Sequence, residues 1–173
     1  MMASMPRTRR TRLIDDDRIT TFGLLHEAHG RLSGAFDRSF RRLGISGPIY
    51  EVLLRVGRSR DGVVRMTDLA RQLAVTTGGA TRVVDRAVAA GLVERRPCPT
   101  DRRVQWVALT PAGQEILRRA TRLHLDDLEA EMAARLTPDE EAALRRTLHK
   151  LSRQARDSRP SPAASARLAQ SDN

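Results

Sequence analysis

Apolar residues recur at helical spacing along most of the chain, and this pattern predicts six helices. In the first long segment, Asp15 to Leu43, steps of three, four and seven residues place them on one face. The residues of this face are Phe22, Leu25, Leu32, Phe36, Phe40 and Leu43. Gly44 is expected to end the helix. Asp15–Asp17 lie near its start, where the helix dipole favours negative charge.

Shorter apolar segments predict two more helices before residue 74. Ser46 is a polar cap for the first of them, and Pro48 lies in its first turn. Val63, Val64 and Met66 have the composition of one short strand. Thr67 is then expected to cap the second helix.

A fourth helix begins at Thr76 or Thr77 and is expected to end at Gly91. Its predicted inner face consists of Val83, Val84, Ala87 and Val88. Gly78 and Gly79, near its start, lower the helix propensity by about 1 kcal/mol each. Glycine at these positions favours a close approach by another backbone or by a ligand.

The segments 92–96 and 104–109 have strand composition, and a loop with two prolines and an aspartate joins them into a hairpin. Thr110 and Pro111 then open a second long helix, whose apolar positions continue to Leu136. Thr137 and Glu140 form a capping box that starts the last helix.

A helix, a short connection, a glycine-bearing helix and a hairpin with a basic tip form the pattern of a winged helix-turn-helix. The predicted fold class is therefore mainly α with a small β-hairpin wing. A helix-turn-helix presents the start of its second helix to the major groove of DNA. Candidate DNA-binding residues at that start are Thr76, Thr77, Thr81, Arg82 and Arg86. Threonine can contact phosphates or bases, and arginine can bind guanine in bidentate fashion.

The hairpin tip carries Asp101, Arg102 and Arg103. An arginine in the minor groove gains from the negative potential there, and the aspartate can hold a neighbouring guanidinium extended. Basic loops are also common as solvated charge, so the tip alone does not decide between the two interpretations. The helix-turn-helix before it favours contact with DNA.

Residues 66–113 resemble the multiple antibiotic resistance regulator (MarR) family of bacterial transcription factors. The resemblance lies in Thr67-Asp68-Leu69-Ala70, in residues 76–85, in Ala90-Gly91-Leu92-Val93-Glu94-Arg95, in Asp101-Arg102-Arg103 and in residues 107–113. The six-helix layout extends the similarity to about residues 15–155. Cys98 is a departure, because the family usually has aspartate at this position of the wing.

The resemblance implies a homodimer that binds double-stranded DNA at a pseudo-palindromic site, with repression as the usual outcome. Asp101 and Arg103 resemble the paired wing residues of the family. The expected organisation is a disordered basic arm at 1–12, an N-terminal dimerisation helix at 13–45, a winged domain at 46–110, C-terminal dimerisation helices at 111–156 and a disordered tail at 157–173. The basic arm either adds phosphate contacts or is incidental.

Family members commonly bind small anionic or aromatic effectors, and the resemblance implies such a site here. The candidates are His26, His29, Arg31, Phe36 and Tyr50. Phe36 and Tyr50 are alternatively plain core residues. His124 and His149 add to the histidines, but no spacing demands a metal, and neither a metal nor another cofactor is expected.

Composition agrees with these expectations. The formal net charge is +10, which favours a polyanionic partner. No apolar run approaches the ~20 residues of a membrane span, so a cytoplasmic protein is expected. The single cysteine, Cys98, excludes an intramolecular disulfide framework.

Other functions remain as alternatives. No nucleophile–base pair, phosphate-binding loop or metal triad indicates an enzyme. A non-specific basic DNA-binding module and a protein-binding winged helix are possible on the same fold. A redox-responsive regulator acting through Cys98 is a further option, because Arg95, Arg96 and Arg102 lie nearby in sequence.

Overall fold

The computed structural model describes residues 13–73, 75–98 and 104–157. Within these ranges the chain is mainly helical and carries one small sheet. It divides into two compact units, the first ending at Asp127 and the second beginning at Leu128. The predicted arm at 1–12 lies outside the described residues, as does the predicted tail beyond residue 157.

Six α-helices account for most of the described residues, as predicted. They are α1 (Asp17–Arg41), α2 (Gly47–Gly57), α3 (Met66–Gln72), α4 (Thr77–Ala89), α5 (Pro111–Leu128) and α6 (Pro138–Asp157). A 3-10 turn, Leu13–Asp15, precedes α1, and a π-helical turn, Glu129–Ala133, follows α5. The second long helix was predicted to continue to Leu136, so its α-helical part is shorter than expected.

Three strands, β1 (Val63–Arg65), β2 (Val93–Pro97) and β3 (Gln105–Leu109), form an antiparallel sheet in the order β1-β3-β2. The predicted hairpin is the β2–β3 pair, whose register joins Arg95 to Val107. The sequence indicated β1 but not its partner. Val64 of β1 also lies opposite Val107, so apolar residues of β1 and β3 share the inner face of the sheet.

The core lies in the winged part of the first unit. Leu53 of α2, Leu69 of α3, Val84 of α4 and Val107 of β3 are fully buried in it. Side chains of this kind contribute about 1.5–3 kcal/mol each when they leave water. The apolar contacts therefore fix α3 and α4 onto α2 and the sheet.

Two sequence interpretations of these helices were wrong. Thr67 does not cap α3, because β1 runs directly into the helix and Arg65 is the residue before its first turn. Val88 does not belong to the inner face of α4, since it is exposed. Val84 and Ala87 are buried as predicted and Val83 packs against the core, and Ala80 completes the buried stripe at helical spacing.

The first turn of α5 contains Gly113, which lies against the turn that follows α4. Gly91, with a φ of +68°, reverses the chain after the helix. Thr110 Oγ1 donates to the Gly91 carbonyl at 2.7 Å and accepts from the Gly113 amide at 3.0 Å. A Cβ on Gly113 would lie 1.8 Å from the carbonyl oxygen of Leu92. Only glycine lets α5 start this close to the end of α4.

The second unit contains the π-helical turn and α6. The predicted capping box is confirmed, because Glu140 accepts from the Thr137 amide at 2.8 Å and donates its own amide to Thr137 Oγ1 at 3.3 Å. Among the described residues, no helix combines the length and the apolar character that crossing a membrane requires.

Candidate nucleic-acid interface

The start of α4 carries the helical residues that were predicted to contact DNA. Thr76 is the N-cap, and its Oγ1 accepts a hydrogen bond from the Gly79 amide at 3.1 Å. Thr76 and Thr77 are exposed, and Thr81 is half-buried one turn later. The predicted start at Thr76 or Thr77 is confirmed. The N-terminus of α4 is open to solvent, and its unpaired amides and dipole favour a negative charge such as phosphate.

The threonine hydroxyls are already partly used within the helix. Thr81 Oγ1 donates to the Thr77 carbonyl at 2.9 Å, which fixes the hydroxyl along the helix. Its lone pairs and its methyl group are left for contacts outside the chain. Thr76 is the reverse case, because its oxygen accepts from Gly79 and its proton is available for donation.

Arg82 and Arg86 are both exposed, on the side of α4 away from Ala80, Val84 and Ala87. They lie four residues apart, so they follow one helix face. No ion pair with another described residue involves either guanidinium. Their donors are therefore available to an external acceptor such as guanine or phosphate.

The two glycines of this turn differ in their surroundings. A Cβ on Gly79 would lie 3.2 Å from Thr76 Oγ1, so Gly79 makes room for the N-cap. A Cβ on Gly78 would meet nothing within 4 Å. The described residues thus give no packing reason for glycine at position 78, and a bare, exposed backbone there leaves space for a close neighbour.

A groove of about 560 Å³ lies between this helix start and the sheet. Thr77 and Thr81 line one side, and Arg65 and Arg95 contribute positive charge from β1 and β2. Gln105, at the start of β3, adds a polar side chain. The predicted threonines therefore adjoin a basic groove that sequence reasoning did not identify.

An ion pair connects α4 to the wing. Arg95 Nη2 lies 2.6 Å from Asp85 Oδ1, and both side chains are partly exposed. Arg95 was not among the residues predicted to contact DNA. Strand alternation was an available signal, because Arg95 shares a sheet face with buried Val93, and that face lies towards the helices.

The wing tip was predicted to contribute Asp101, Arg102 and Arg103, which lie outside the described residues. Cys98 precedes them and is buried, and its backbone amide donates to the Val104 carbonyl at 3.0 Å. This bond extends the β2–β3 pairing towards the tip. Burial separates the thiol from solvent, although reactive cysteines are typically accessible.

The predicted effector residues separate into two groups. Phe36 and Tyr50 both contact the ring of His124, with centroid distances of 4.5 and 5.2 Å. Tyr50 also stacks on Phe40 at 4.4 Å and belongs to the core. His26, His29 and Arg31 are exposed on α1, where Arg31 pairs with Glu27 at 3.1 Å.

His124 is the member of this aromatic cluster that sequence reasoning did not connect with Phe36 and Tyr50. Burial lowers the pKa of His124, and the nearby carboxylates of Asp127 and Glu51 oppose that effect. Its Nδ1 is buried without a hydrogen-bond partner among the described residues. No group of three or more histidine, cysteine, aspartate or glutamate side chains in the described part of the chain is arranged to hold a metal ion.

Comparison with known proteins agrees with this architecture. A MarR family sequence profile matches residues 43–104. The multiple antibiotic resistance protein MarR of Salmonella typhimurium is 37% identical over 109 residues, covering 63% of this chain and 74% of the relative. MarR of Escherichia coli is 31% identical over 128 residues, covering 74% of this chain and 88% of the relative.

A solved structure of Sco3205, a MarR family transcriptional regulator from Streptomyces coelicolor in complex with DNA, superposes with a TM-score of 0.77. It is 29% identical and covers 87% of this chain and 94% of that one. The winged helix-turn-helix fold, the glycine-bearing α4 and the sequence relatives all indicate the same family. The chain belongs to the MarR family of transcriptional regulators.

Proposed function

We propose that this chain binds a specific double-stranded operator as a homodimer and represses transcription from it. The observation that carries the proposal is the exposed polar face of α4. There Arg82 and Arg86 have no ion-pair partner among the described residues. Gly78 has no side chain and is exposed, so the backbone at the start of the helix is accessible. In this assignment Arg82 and Arg86 read bases in the major groove, and Thr76, Thr77 and Thr81 contact phosphates or thymine.

The wing completes the interface in this proposal. Arg102 and Arg103 enter the minor groove, and Asp101 orients a neighbouring guanidinium. The ion pair between Asp85 and Arg95 supports the assignment, because it holds the strand that leads to the tip against α4. The DNA in the Sco3205 structure supports a nucleic-acid partner for the family.

Exposed apolar residues support the homodimer. In the first unit, α1 exposes Ile19, Phe22 and Leu24. In the second unit, Leu144, Leu148 and Leu151 form an exposed stripe along α6. An exposed apolar stripe such as that of α6 favours a protein interface, and a second copy would place two α4 helices in successive major grooves.

We also propose an effector response. A small anionic or aromatic molecule would bind near Phe36 and Tyr50, with His26, His29 and Arg31 as further candidates, and would favour a dimer with a different spacing of its α4 helices. The observation that supports this site is the buried Nδ1 of His124, whose ring contacts Phe36 and Tyr50 and which has no hydrogen-bond partner among the described residues.

The first experiment recovers genomic DNA on the purified protein, sequences it, and measures affinity for the recovered site by fluorescence anisotropy. A specific regulator prefers its site over unrelated DNA by about 10³-fold or more. A preference below tenfold would replace this proposal with a non-specific basic module.

Variants then assign the contacts. Arg82→Ala is expected to cost about 1–3 kcal/mol and to relax specificity at one base position. Arg103→Ala is expected to weaken binding to all sequences and to reduce the salt slope by about one. The matched control is Arg118→Ala, since Arg118 lies on α5 and pairs with Glu115 at 2.7 Å. If all three variants bind the recovered site with equal affinity, neither Arg82 of α4 nor Arg103 of the wing contributes to the interface.

A further inference from the structure

A second basic groove lies in the winged part of the chain and shares only Arg65 with the groove beside α4. It has a volume of about 470 Å³ and lies where the end of α2, β1, α3 and Trp106 of β3 meet. We call it the arginine pocket, and its charged lining residues are Arg55, Arg58, Arg65, Arg71, Asp61 and Asp68. Four cations thus face two carboxylates.

Part of this positive charge has no ion-pair partner in the described ranges. Arg71 pairs with Asp68 at 2.5 Å, and Arg55 pairs with Glu51 at 3.1 Å. Arg58 and Arg65 are in no ion pair with another described residue. Asp61 is the pocket carboxylate that stays outside these pairs, so the excess in the pocket is positive.

Two lining residues also carry hydrogen-bond donors that lack an acceptor. Arg55 Nε and Trp106 Nε1 are both buried, and neither has a hydrogen-bond partner among the described residues. An Nε–H of arginine and an indole N–H can only donate. Both nitrogens are closed to a water-sized group in this structure, so they describe a pocket wall that is short of acceptors and are not themselves the ligand contacts.

The sheet places Arg65 beside Trp106 in the lining of the pocket. Arg65 lies directly opposite Trp106 in the β1–β3 register, so the two side chains share one face of the sheet. The adjoining loop is closed by Ser59, whose Oγ donates to the Val63 carbonyl at 2.7 Å, and by Gly62 at a φ of +69°. Hydrogen bonds and pairing thus fix the floor and one wall of the pocket.

We propose that the arginine pocket binds a small oxyanion, a phosphate or a carboxylate, on the guanidinium groups of Arg58 and Arg65, which line it and are in no ion pair with another described residue. Planar guanidinium groups match the oxygen geometry of both anions. The volume is that of a small-molecule site. The same chemistry is offered by a free anion and by a phosphate of DNA, and the experiment separates these sources.

The chain contains one tryptophan, so Trp106 reports on the pocket directly. The DNA-free, full-length protein is titrated with sodium phosphate and, separately, with sodium acetate, at an ionic strength held constant with sodium chloride. Tryptophan fluorescence and the single indole N–H resonance are followed. We expect a saturable change in fluorescence and a saturable shift of the indole resonance with at least one of the two anions, because Trp106 lines the pocket.

Arg58→Ala is expected to weaken binding of the anion at least tenfold. Arg60→Ala is the matched control, because Arg60 is an exposed arginine of the same loop that does not line the pocket, and it should change the affinity less than twofold. Arg58→Lys keeps the charge but loses the planar fork, and it should give an intermediate loss. Arg65 is left unchanged, since it also lines the groove beside α4.

A third titration uses a duplex of unrelated sequence. A saturable indole shift with free phosphate that the duplex does not reproduce would identify a free anion as the occupant, whereas a shift with the duplex that free phosphate does not reproduce would assign the oxyanion to the DNA backbone. The proposal is overturned if neither probe gives a saturable response beyond that of chloride, or if Arg58→Ala and Arg60→Ala behave alike. None of these outcomes depends on operator recognition, so the two proposals fail separately.

Discussion

Leu53 of α2 and Val84 of α4 are fully buried, whereas Phe22 of α1 keeps 70% of its surface exposed. All three belong to helices whose apolar residues repeat at the same period. In the winged part, the stripes of α2, α3 and α4 meet each other and the sheet. Along α1, only the C-terminal end, with Phe36 and Phe40, reaches this core. Periodicity therefore identifies the apolar face of a helix but not what covers it.

Leu53→Ala should have the largest effect, because it removes buried methyl groups from the centre of the winged core. We expect a loss of about 2–5 kcal/mol in the free energy of unfolding. Urea denaturation followed by circular dichroism measures it. The loss should be the same at every protein concentration, since Leu53 lies within one chain. A loss that grows on dilution would mean that the winged part is stabilised mainly by association.

Leu148→Ala tests the other region. Leu148 is exposed on α6, and alanine keeps the helix propensity. If a second copy covers this stripe, the dimer should lose about 2 kcal/mol from its two truncated leucines, which is about 30-fold in the dissociation constant. Light scattering on a dilution series measures it.

Arg146→Ala is the control for this variant, since Arg146 is also exposed on α6 but lies about half a turn away from Leu148. It should leave the dissociation constant unchanged. A dissociation constant that both variants leave unchanged would place the interface elsewhere and would weaken the contrast between the two regions.

Features set by neighbouring residues could be predicted from the sequence, whereas a feature set by strand pairing could not. Local signals predicted a helix start at Thr76 or Thr77, a helix end at Gly91 and the capping box at Thr137, because each depends on residues within one turn. Thr67 was misassigned as a cap because the β1–β3 pairing keeps the chain extended up to Arg65, and pairing is not local.

In the candidate site, too, the residues placed by helix geometry could be predicted and those placed by the sheet could not. The exposed residues of α4 follow from helix geometry, and Arg82 and Arg86 are found on the outer face as expected. The predicted inner face was wrong at Val88, which is exposed, and it omitted Ala80, which is fully buried. The groove with Arg65 and the pairing of Arg95 with Asp85 require the sheet, and the sheet is set by contacts distant in sequence.

His124 gives a pH-dependent prediction at the place where α1, α2 and α5 contribute to one aromatic cluster. Burial lowers the pKa of His124 in the folded chain below its ordinary value near 6.5. The unfolded chain therefore binds more protons just below that value, and stability should fall as the pH falls from about 6.5 towards the lowered pKa. Above that window the residue has no pH-dependent effect.

His124→Gln removes the titration, so its free energy of unfolding should fall less between pH 7.5 and 5.5 than that of the parent chain. Urea denaturation at half-unit intervals of pH measures the two slopes. His26→Gln is the control, because His26 is exposed on α1 and makes no ring contact with another described residue. If His26→Gln reduces the pH dependence of the free energy of unfolding and His124→Gln does not, this pH dependence does not come from the aromatic cluster.

The smallest expected effect concerns the ion pair between Asp85 and Arg95. Both side chains are partly exposed, so water screens the pair, and its contribution to stability should be about 0.2–1 kcal/mol. A double-mutant cycle with Asp85→Ala, Arg95→Ala and the combined variant isolates this coupling. The same four proteins should differ more in affinity for the operator, because Arg95 also lines the groove beside α4. A coupling well above 1 kcal/mol would mean instead that the pair is part of what folds the winged region.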